Sequence, residues 1–525
     1  MKLTETTRRR FLSSMGAVGG FAVTGLAMPY YARGSSSRPV FTSGVQSGDV
    51  DATSGVIWTR VDRPSRLQVE YSTTDKFANA VRLAPLNVTH ETDLTGKLLL
   101  QGLPADQEIF YRFRAADLQD LNSVSEPILG QFRTAPTQKR SIRFVWSGDT
   151  AGQGWGIDGE GMRTYSTIAY HQPDFMIHSG DTIYADNPIP EEISLRDGGV
   201  WKNRIVTDAK REIAQTLEQF RGQWTYNLLD DHVKGLNAAC PVFYQWDDHE
   251  VLNNWSPSTD LRDDARYKEK SVTTLSARAS RAFHEMTPTR YVAEEPGRIY
   301  RKVAYGPLLD VFFVDLRTYR GPNSHGLDAE LTSDSRLLGE KQVAWLKREL
   351  VRSTATWKVI ACDLPIGLVI WDDYGKRKGS ESFSNGDNGA PLGRELEFAD
   401  LLRFIRDAGI TNMIWLTADV HYAAAHYYDP GKAKFREFLP FWEFVAGPLH
   451  SGTYGPQELD MTFGPEVKFM KAAPGGAEQN LPPSAGMQFF GLIDIDGQTE
   501  QLTVRLMDRN DTELWHTVLD PDVSS

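Results

Sequence analysis

Four short segments of this 525-residue chain carry side chains whose types and spacing suit metal-assisted chemistry. They are Ser147-Gly148-Asp149, Ser179-Gly180-Asp181-Thr182-Ile183-Tyr184, Asp247-Asp248-His249-Glu250 with Asn253-Asn254 behind it, and Ala418-Asp419-Val420-His421. Each stands directly after an apolar run. In open α/β sheets ligands bind beyond the carboxyl ends of the strands, so the four segments are expected to converge on one site. Two ionised carboxylates ~4 Å apart repel by about 4 kcal/mol at an effective dielectric near 20, and three or four together need cations. A mixed set of Asp, His, Asn and Tyr suits hard or borderline ions rather than a thiolate-seeking metal. A carboxylate such as Asp181 can bridge two ions, and such a pair suits displacement at phosphorus.

The elements that must hold these segments are legible from apolar patterning. Residues 142–146, 174–178, 241–246, 308–314, 357–362 and 413–417 are short apolar runs, as expected of buried strands. Between them Val343, Leu346 and Leu350 repeat at helical spacing, as do Phe398, Leu401, Leu402 and Ile405, with Gly409 placed as the C-cap of the second helix. Strands alternating with helices predict an α/β layered core. Ahead of it, 39–136 reads as all-β: runs such as Val56-Ile57-Trp58-Thr59 and Leu67-Gln68-Val69-Glu70-Tyr71 between turn-rich stretches predict a sandwich. Its last strands resemble those of a fibronectin type III or immunoglobulin-like module, with Tyr111 as corner tyrosine, and Thr137-Gln138-Lys139-Arg140 reads as a linker. The expected domains are therefore a sandwich at 38–136 and a catalytic unit at 140–525. Residues 372–393, rich in Gly, Ser, Asn and Asp, are expected to form a mobile loop over the site.

Composition narrows the function classes. With 40% hydrophobic and 24% charged residues, 44 Gly and 27 Pro, the chain is ordinary for a globular protein, which sets aside disorder, collagen and coiled coil. Lys plus Arg number 57 against 69 Asp plus Glu, a net charge of -12, which argues against general nucleic-acid binding. An anionic substrate would need local positive charge, such as a metal. Two cysteines, Cys240 and Cys362, exclude a disulfide scaffold and a Cys-rich metal site; inert packing is preferred for both over a disulfide or a ligand role. Thr7-Arg8-Arg9-Arg10-Phe11-Leu12 and the Gly/Ala-rich run at 13–28 look like a twin-arginine export signal occupying 1–32, with cleavage between Ala27 and Ala32. The run is shorter than the ~20 strongly apolar residues of a membrane span, and no second run of spanning length follows. The expectation is a periplasmic or secreted protein without a transmembrane segment, carried by the twin-arginine translocation machinery.

The motifs also carry a family resemblance. Phe41-Thr42-Ser43-Gly44-Val45-Gln46-Ser47-Gly48-Asp49, Trp58-Thr59-Arg60, Gly180-Asp181-x-x-Tyr184, Trp246-Asp247-Asp248-His249-Glu250, Asn253-Asn254 and Asp419-x-His421 together resemble the PhoD-like alkaline phosphatase and phosphodiesterase family, over nearly the whole chain. The resemblance implies a calcineurin-like metallophosphoesterase domain behind the sandwich and an extracytoplasmic enzyme acting on phosphate esters. It implies a binuclear or larger metal centre of ferric iron with Ca2+ or another divalent ion such as Mn2+ or Zn2+. Carried across, Asp181 bridges the ions, Tyr184 binds iron, and Asp149, Asp248, Asn254, Asp419 and His421 complete the metal set. His249 would contact the phosphate or protonate the leaving oxygen, with Asn253 also on the substrate side. One position departs: where some members have a cysteine after the first strand this chain has Asp149, closer to purple acid phosphatases, so the metals stay open.

The leading expectation is a phosphoric ester hydrolase in which a metal-bound hydroxide attacks phosphorus in line. A phospholipase D-like phosphodiesterase on the same scaffold is the alternative; from a different class, so is an exported phosphate-binding or adhesion protein with an inactive site. Gly-x-Ser-x-Gly, His-Glu-x-x-His and Gly-x-x-x-x-Gly-Lys-Ser/Thr are all missing from the sequence. Structural readings compete at single positions: Asp149 as a helix cap, His249 as a plain hydrogen-bonding residue, Tyr184 as a core tyrosine. For Asp315 and Arg317 a structural ion pair is preferred, and for His171 and His178 a structural role.

Overall fold

The six apolar runs all become strands: Ile142–Ser147, Phe175–Ser179, Val242–Gln245, Leu309–Phe313, Trp357–Ala361 and Met413–Thr417. They are seen in a computed structural model that describes residues 38–475 and 479–522. The expected export signal at 1–32 lies outside these described residues.

The strands divide between two mixed sheets. The first places Val242–Gln245, Phe175–Ser179 and Ile142–Ser147 side by side and parallel, then continues antiparallel through Phe489–Ile495, Leu502–Asp508 and Glu513–Leu519. The second runs Arg301–Ala304, Leu309–Phe313, Trp357–Ala361, Met413–Thr417, Phe441–Val445, Ala423–Tyr428 and Pro465–Lys471, with its middle four strands parallel. Side-chain alternation explains why these strands look uniformly apolar. Ile142, Phe144 and Trp146 pack into the core between the sheets, where Trp146 meets Phe444 at 6.5 Å, whereas Val145 packs with the helices outside. Val311 and Phe313 face inward and Phe312 outward in the same way. A strand covered on both faces has no use for polar alternation.

Helices cover both outer faces. Arg163–Tyr170, Leu217–Asn227, Asp231–Ala239 and Val272–Met286 pack on the first sheet, and Glu340–Arg352 and Arg394–Asp407 on the second. Leu346 and Leu350 are 0% and 1% exposed, and each such side chain contributes about 1.5–3 kcal/mol of burial. The expected helix stop is displaced by one residue: Ala408 is the cap, and Gly409 follows it at φ 64°. Closeness of strands is set at Gly491, opposite Trp146, where a Cβ would come within 1.9 Å of the indole.

Ahead of these layers, Phe41–Gly48, Ser54–Val61 and Thr95–Gln101 form one antiparallel sheet; Ser65–Ser72, Glu108–Asp117 and Ile128–Arg133 are the main strands of a second. They close as a sandwich over Ile57, Leu67, Val69, Phe113 and Phe132. The sandwich is tied to the layered region by a buried Asp49–Arg301 pair at 2.8 Å and by Trp58, whose Nε1–H donates to the Glu285 carbonyl at 2.7 Å. Tyr111 is not a corner tyrosine: its ring lies over Gly130 in the core and its hydroxyl makes no hydrogen bond to backbone.

Two other expectations change. Residues 372–393 are not one open loop. Trp371–Asp373 and Lys378–Ser380 pair as a hairpin, and 380–385 is buried, held by Ser380 Oγ–H to the Ser384 carbonyl and by the Arg394 guanidinium on the Ser380 carbonyl, both at 2.7 Å. Small polar residues mimic a loop in sequence because their burial depends on partners the sequence does not display. Cys240 and Cys362 form no disulfide and sit in separate clusters on opposite outer faces.

Candidate functional site

At the carboxyl ends of the parallel strands the backbone turns abruptly, and the turning residues are those singled out above. Asp149, Asp181, Asn254, Asp419 and His421 lie at φ 68°, 47°, 56°, 60° and 59°. Asp and Asn tolerate this left-handed region best, and such conformations cluster where side chains are aimed at a ligand. Asp149 does not cap a helix: the next one begins at Arg163, with Met162 as its cap.

Three of the predicted residues meet on one side of the site. The Tyr184 hydroxyl lies 2.9 Å from His421 Nε2 and 3.4 Å from Asp149 Oδ1, and His421 Nε2 is 3.1 Å from the same carboxylate oxygen. His421 Nδ1–H donates to the Gly452 carbonyl, which turns the Nε2 lone pair toward Tyr184 and Asp149. Asp149 Oδ2 is buried without a hydrogen-bond partner, and Gly447 makes room for it, since a Cβ there would lie 2.5 Å away.

Three sets of acidic and imidazole groups have ligand atoms within 4.8 Å of one another: Asp149, Asp181 and His421; Asp181, Asp248 and His249; and Asp247, Asp248 and Asp419. Asp181 is shared by the first two sets and Asp248 by the last two, so the sets form a chain. Burial, then Asp248 and the neighbouring carboxylates, push the Asp181 carboxyl far above its ordinary range. Asp419 is raised by burial and then by Asp247 and Glu381. Burial works against Asp248 too, but His249 and Arg317 hold it below its usual value. A cluster so short of positive charge is suited to cations.

The predicted asparagines stand at the margin. Asn254 donates its backbone N–H to Asp248 Oδ2 at 2.5 Å, while its side-chain amide NH2 donates to Asp372 at 3.2 Å. Asn253 has an exposed side chain, and its backbone N–H donates to Asp186 Oδ2 at 2.9 Å. His249 is buried, its ring centroid 4.3 Å from that of Tyr184, and its Nδ1 is 2.6 Å from Asp186 Oδ1. Burial alone would lower its imidazolium; Asp186 and Asp248 hold it up at about 10.

Residues and partnerships of this site escaped the sequence reading. Asp186 is one, although it stands only two residues past Tyr184. The bracing role of Glu250, read only within its motif, is another: its carboxylate accepts the backbone N–H groups of Asp181, Thr182, Ile183 and Asp247 at 2.7–3.2 Å, locking the turns after two strands to each other. Arg317, fully buried, does not pair with Asp315 as expected. Its guanidinium bonds Asp247 and Glu381, each at 2.5 Å, and lies 3.9 Å from Asp248, while Asp315 accepts the backbone N–H of Arg317. No periodicity or motif links these partners. His171 and His178 are structural as expected, bonded to Asp511 and to Thr150 and Thr182.

Over the cluster opens a cavity of about 580 Å³. Asp181, Asp248, His249, Asp419 and His421 line its floor; Trp371, Asp372 and Tyr374 of the hairpin and Tyr454 to Gln457 line its walls. The space falls within the roughly 300–1,000 Å³ of small-molecule sites.

Known proteins resemble this chain at the level of family and fold. Residues 144–506 match the profile of the PhoD-like phosphatase family, and residues 26–136 that of the PhoD-like phosphatase N-terminal domain. The chain is 27% identical over 482 residues to alkaline phosphatase D of Bacillus subtilis (strain 168), covering 85% of this chain and 77% of that protein. Among solved structures, that of PhoD superposes with a TM-score of 0.68 at 21% identity, covering 92% of this chain and 90% of the other. The purple acid phosphatase PPD1 from yellow lupin (Lupinus luteus) seeds superposes with a TM-score of 0.54 at 14% identity, covering 93% and 75%.

Proposed function

Because this chain belongs to the PhoD-like phosphatase family and is a phosphoester hydrolase, we propose that it is a metal-dependent, exported alkaline phosphatase with phosphodiesterase capability. The observation that carries the reading is the buried chain of carboxylates in which Asp181 is common to two ligand sets. Asp149, Asp181, Tyr184 and His421 would hold one ion; Asp181, Asp248 and Asp419 would hold a second, with Asn254 joining if its amide turns from Asp372. The orphaned Asp149 Oδ2 and the all-oxygen-and-imidazole donor set fit hard or borderline cations, ferric iron with Ca2+, Mn2+ or Zn2+. Bound there, such ions would neutralise the ester's oxygens and activate water.

The chain's own residues account for the rest. His249 lines the cavity with Nδ1 committed to Asp186, which leaves Nε2 to hand a proton to the departing oxygen. Asn253 stands at the substrate side. The cavity is much larger than a phosphate group, which favours room for the second arm of a diester. We take 38–136 as the N-terminal sandwich and 140–525 as the catalytic unit. Export to the periplasm or medium rests on the Arg8-Arg9-Arg10 segment; among the described residues no helix is long and apolar enough to cross a membrane.

The test joins elemental analysis of exported protein to a paired assay on nitrophenyl phosphate and bis-nitrophenyl phosphate, before and after chelation. Loss of both activities with the metals, and recovery on adding them back, is expected. Full activity in metal-free protein refutes the reading.

A further inference from the structure

We propose that the walls of this cavity select esters whose leaving alcohol is nucleoside-like, a flat uncharged ring carrying hydrogen-bond acceptors, and discriminate against alcohols that bear further phosphates. The inference rests on the hydrolase reading of the floor and adds what the walls recognise. Three aromatic rings line the cavity, Trp371 and Tyr374 from the hairpin and Tyr454 from the loop opposite. Tyr374 is 52% exposed, a ring at the mouth, and its hydroxyl donates to Gln457 Oε1 at 3.2 Å, joining the two walls. Every nucleobase offers a π-face, and stacking on such rings is favourable irrespective of base.

The polar groups of the walls are amides whose oxygens are already engaged. Gln153 Oε1 accepts from Ser451 Oγ–H at 2.8 Å and from the Gly452 N–H at 3.3 Å; Gln457 Oε1 accepts from Tyr374. Their amide nitrogens have no partner among the described residues and stay available to ring nitrogens or carbonyls of a ligand. Charge on the walls has the opposite sign to what a polyphosphorylated alcohol needs. Asp372 lines the cavity, as does Glu381, whose charge Arg317 offsets at 2.5 Å, and no described lining residue is lysine or arginine. Of the hairpin's three cations, Lys376 pairs with Asp373 at 2.9 Å and Arg377 with Glu458 at 2.5 Å, and Lys378 is exposed and outside the cavity lining.

The experiment compares kcat/KM for adenosine 5′-monophosphate, glycerol 3-phosphate and inositol hexakisphosphate in the metal-loaded protein and its variants. Adenosine monophosphate should exceed glycerol phosphate by about tenfold, with inositol hexakisphosphate last. Trp371→Ala and Tyr374→Ala should each reduce the adenosine-to-glycerol ratio about five- to tenfold, Trp371→Phe should restore most of it, and Gln457→Arg should raise the relative rate on inositol hexakisphosphate. Equal rates on all three esters, or ratios unmoved in both alanine variants, overturn the inference and leave the hydrolase reading standing. If no ester is cleaved, nitrophenyl phosphate included, the hydrolase reading of the floor fails, and calorimetry with adenosine decides the walls. Binding that Trp371→Ala abolishes supports the inference; no binding overturns it.

Discussion

Replacing Asp186 by Asn tests whether His249 delivers a proton to the leaving oxygen. The Asp186 carboxylate uses both oxygens, Oδ1 at 2.6 Å from His249 Nδ1 and Oδ2 at 2.9 Å from the Asn253 N–H. An asparagine has one acceptor oxygen for two donors, so it must turn an NH2 group on either the imidazole or the loop. At an effective dielectric near 20, opposite charges at that His–Asp separation attract by at most about 6 kcal/mol. The surviving amide dipole and local relaxation retain part of this, so a loss of about 2–3 kcal/mol at the transition state is expected, roughly 30- to 150-fold in kcat. KM and metal content should change little. The assay is kcat across esters of graded leaving ability, with elemental analysis of each preparation. The deficit should be greatest for alkyl esters and should shrink for nitrophenyl phosphate, whose leaving group needs no proton. An equal deficit on every ester, or one that tracks metal loss, refutes a proton-donating His249 held by Asp186.

Three further outcomes are expected. With ferric iron bound, Tyr184→Phe should abolish a visible phenolate-to-metal absorption band while leaving the fold intact, and Asp149→Ala should lower metal content and activity together; a colourless, fully active protein would remove iron from the assignment. Arg317→Met would leave Asp247 and Glu381 buried without their cation and should cost about 3–5 kcal/mol in urea denaturation, so unchanged stability would show that those carboxyls are neutral in the native protein. Burial, then Asp460, hold the Glu395 carboxyl up at about 9, among the Asn385 amide, the Leu392 N–H and Asp387. Between the ordinary glutamate range and pH 9 the native state therefore keeps a proton that the unfolded chain has lost, and stability should fall as pH rises through that window by a few kcal/mol, on the order set by linkage. Glu395→Gln should flatten the decline between pH 5 and 9, and an unaltered slope would assign it to other groups.

What could be read from the sequence is what is encoded over a few consecutive residues. The strand 142–147 announces itself because both its faces are covered, by Phe144 and Trp146 on one side and Val145 on the other, which favours a mostly apolar run, broken here by the exposed Arg143. The gathering of Asp149, Asp181, Asp248, Asp419 and His421 was legible because each stands a short offset past a strand end. The same local logic misled where a polar residue's state depends on distant partners. Ser380, Ser382 and Ser384 look like loop and are buried.

Only the tertiary structure could decide the rest. It joins His249 to Asp186 across 63 positions, gives Arg317 to Asp247 and Glu381 instead of Asp315, and sets Trp371 and Tyr454 around one cavity. Hydrophobic burial specifies which face of an element turns inward with little regard to its exact neighbour, so it leaves a periodic trace along the chain. Hydrogen bonds and ion pairs are directional and short, and their partners are chosen by how the two sheets stack and where their connecting loops cross, which no periodicity along the chain records.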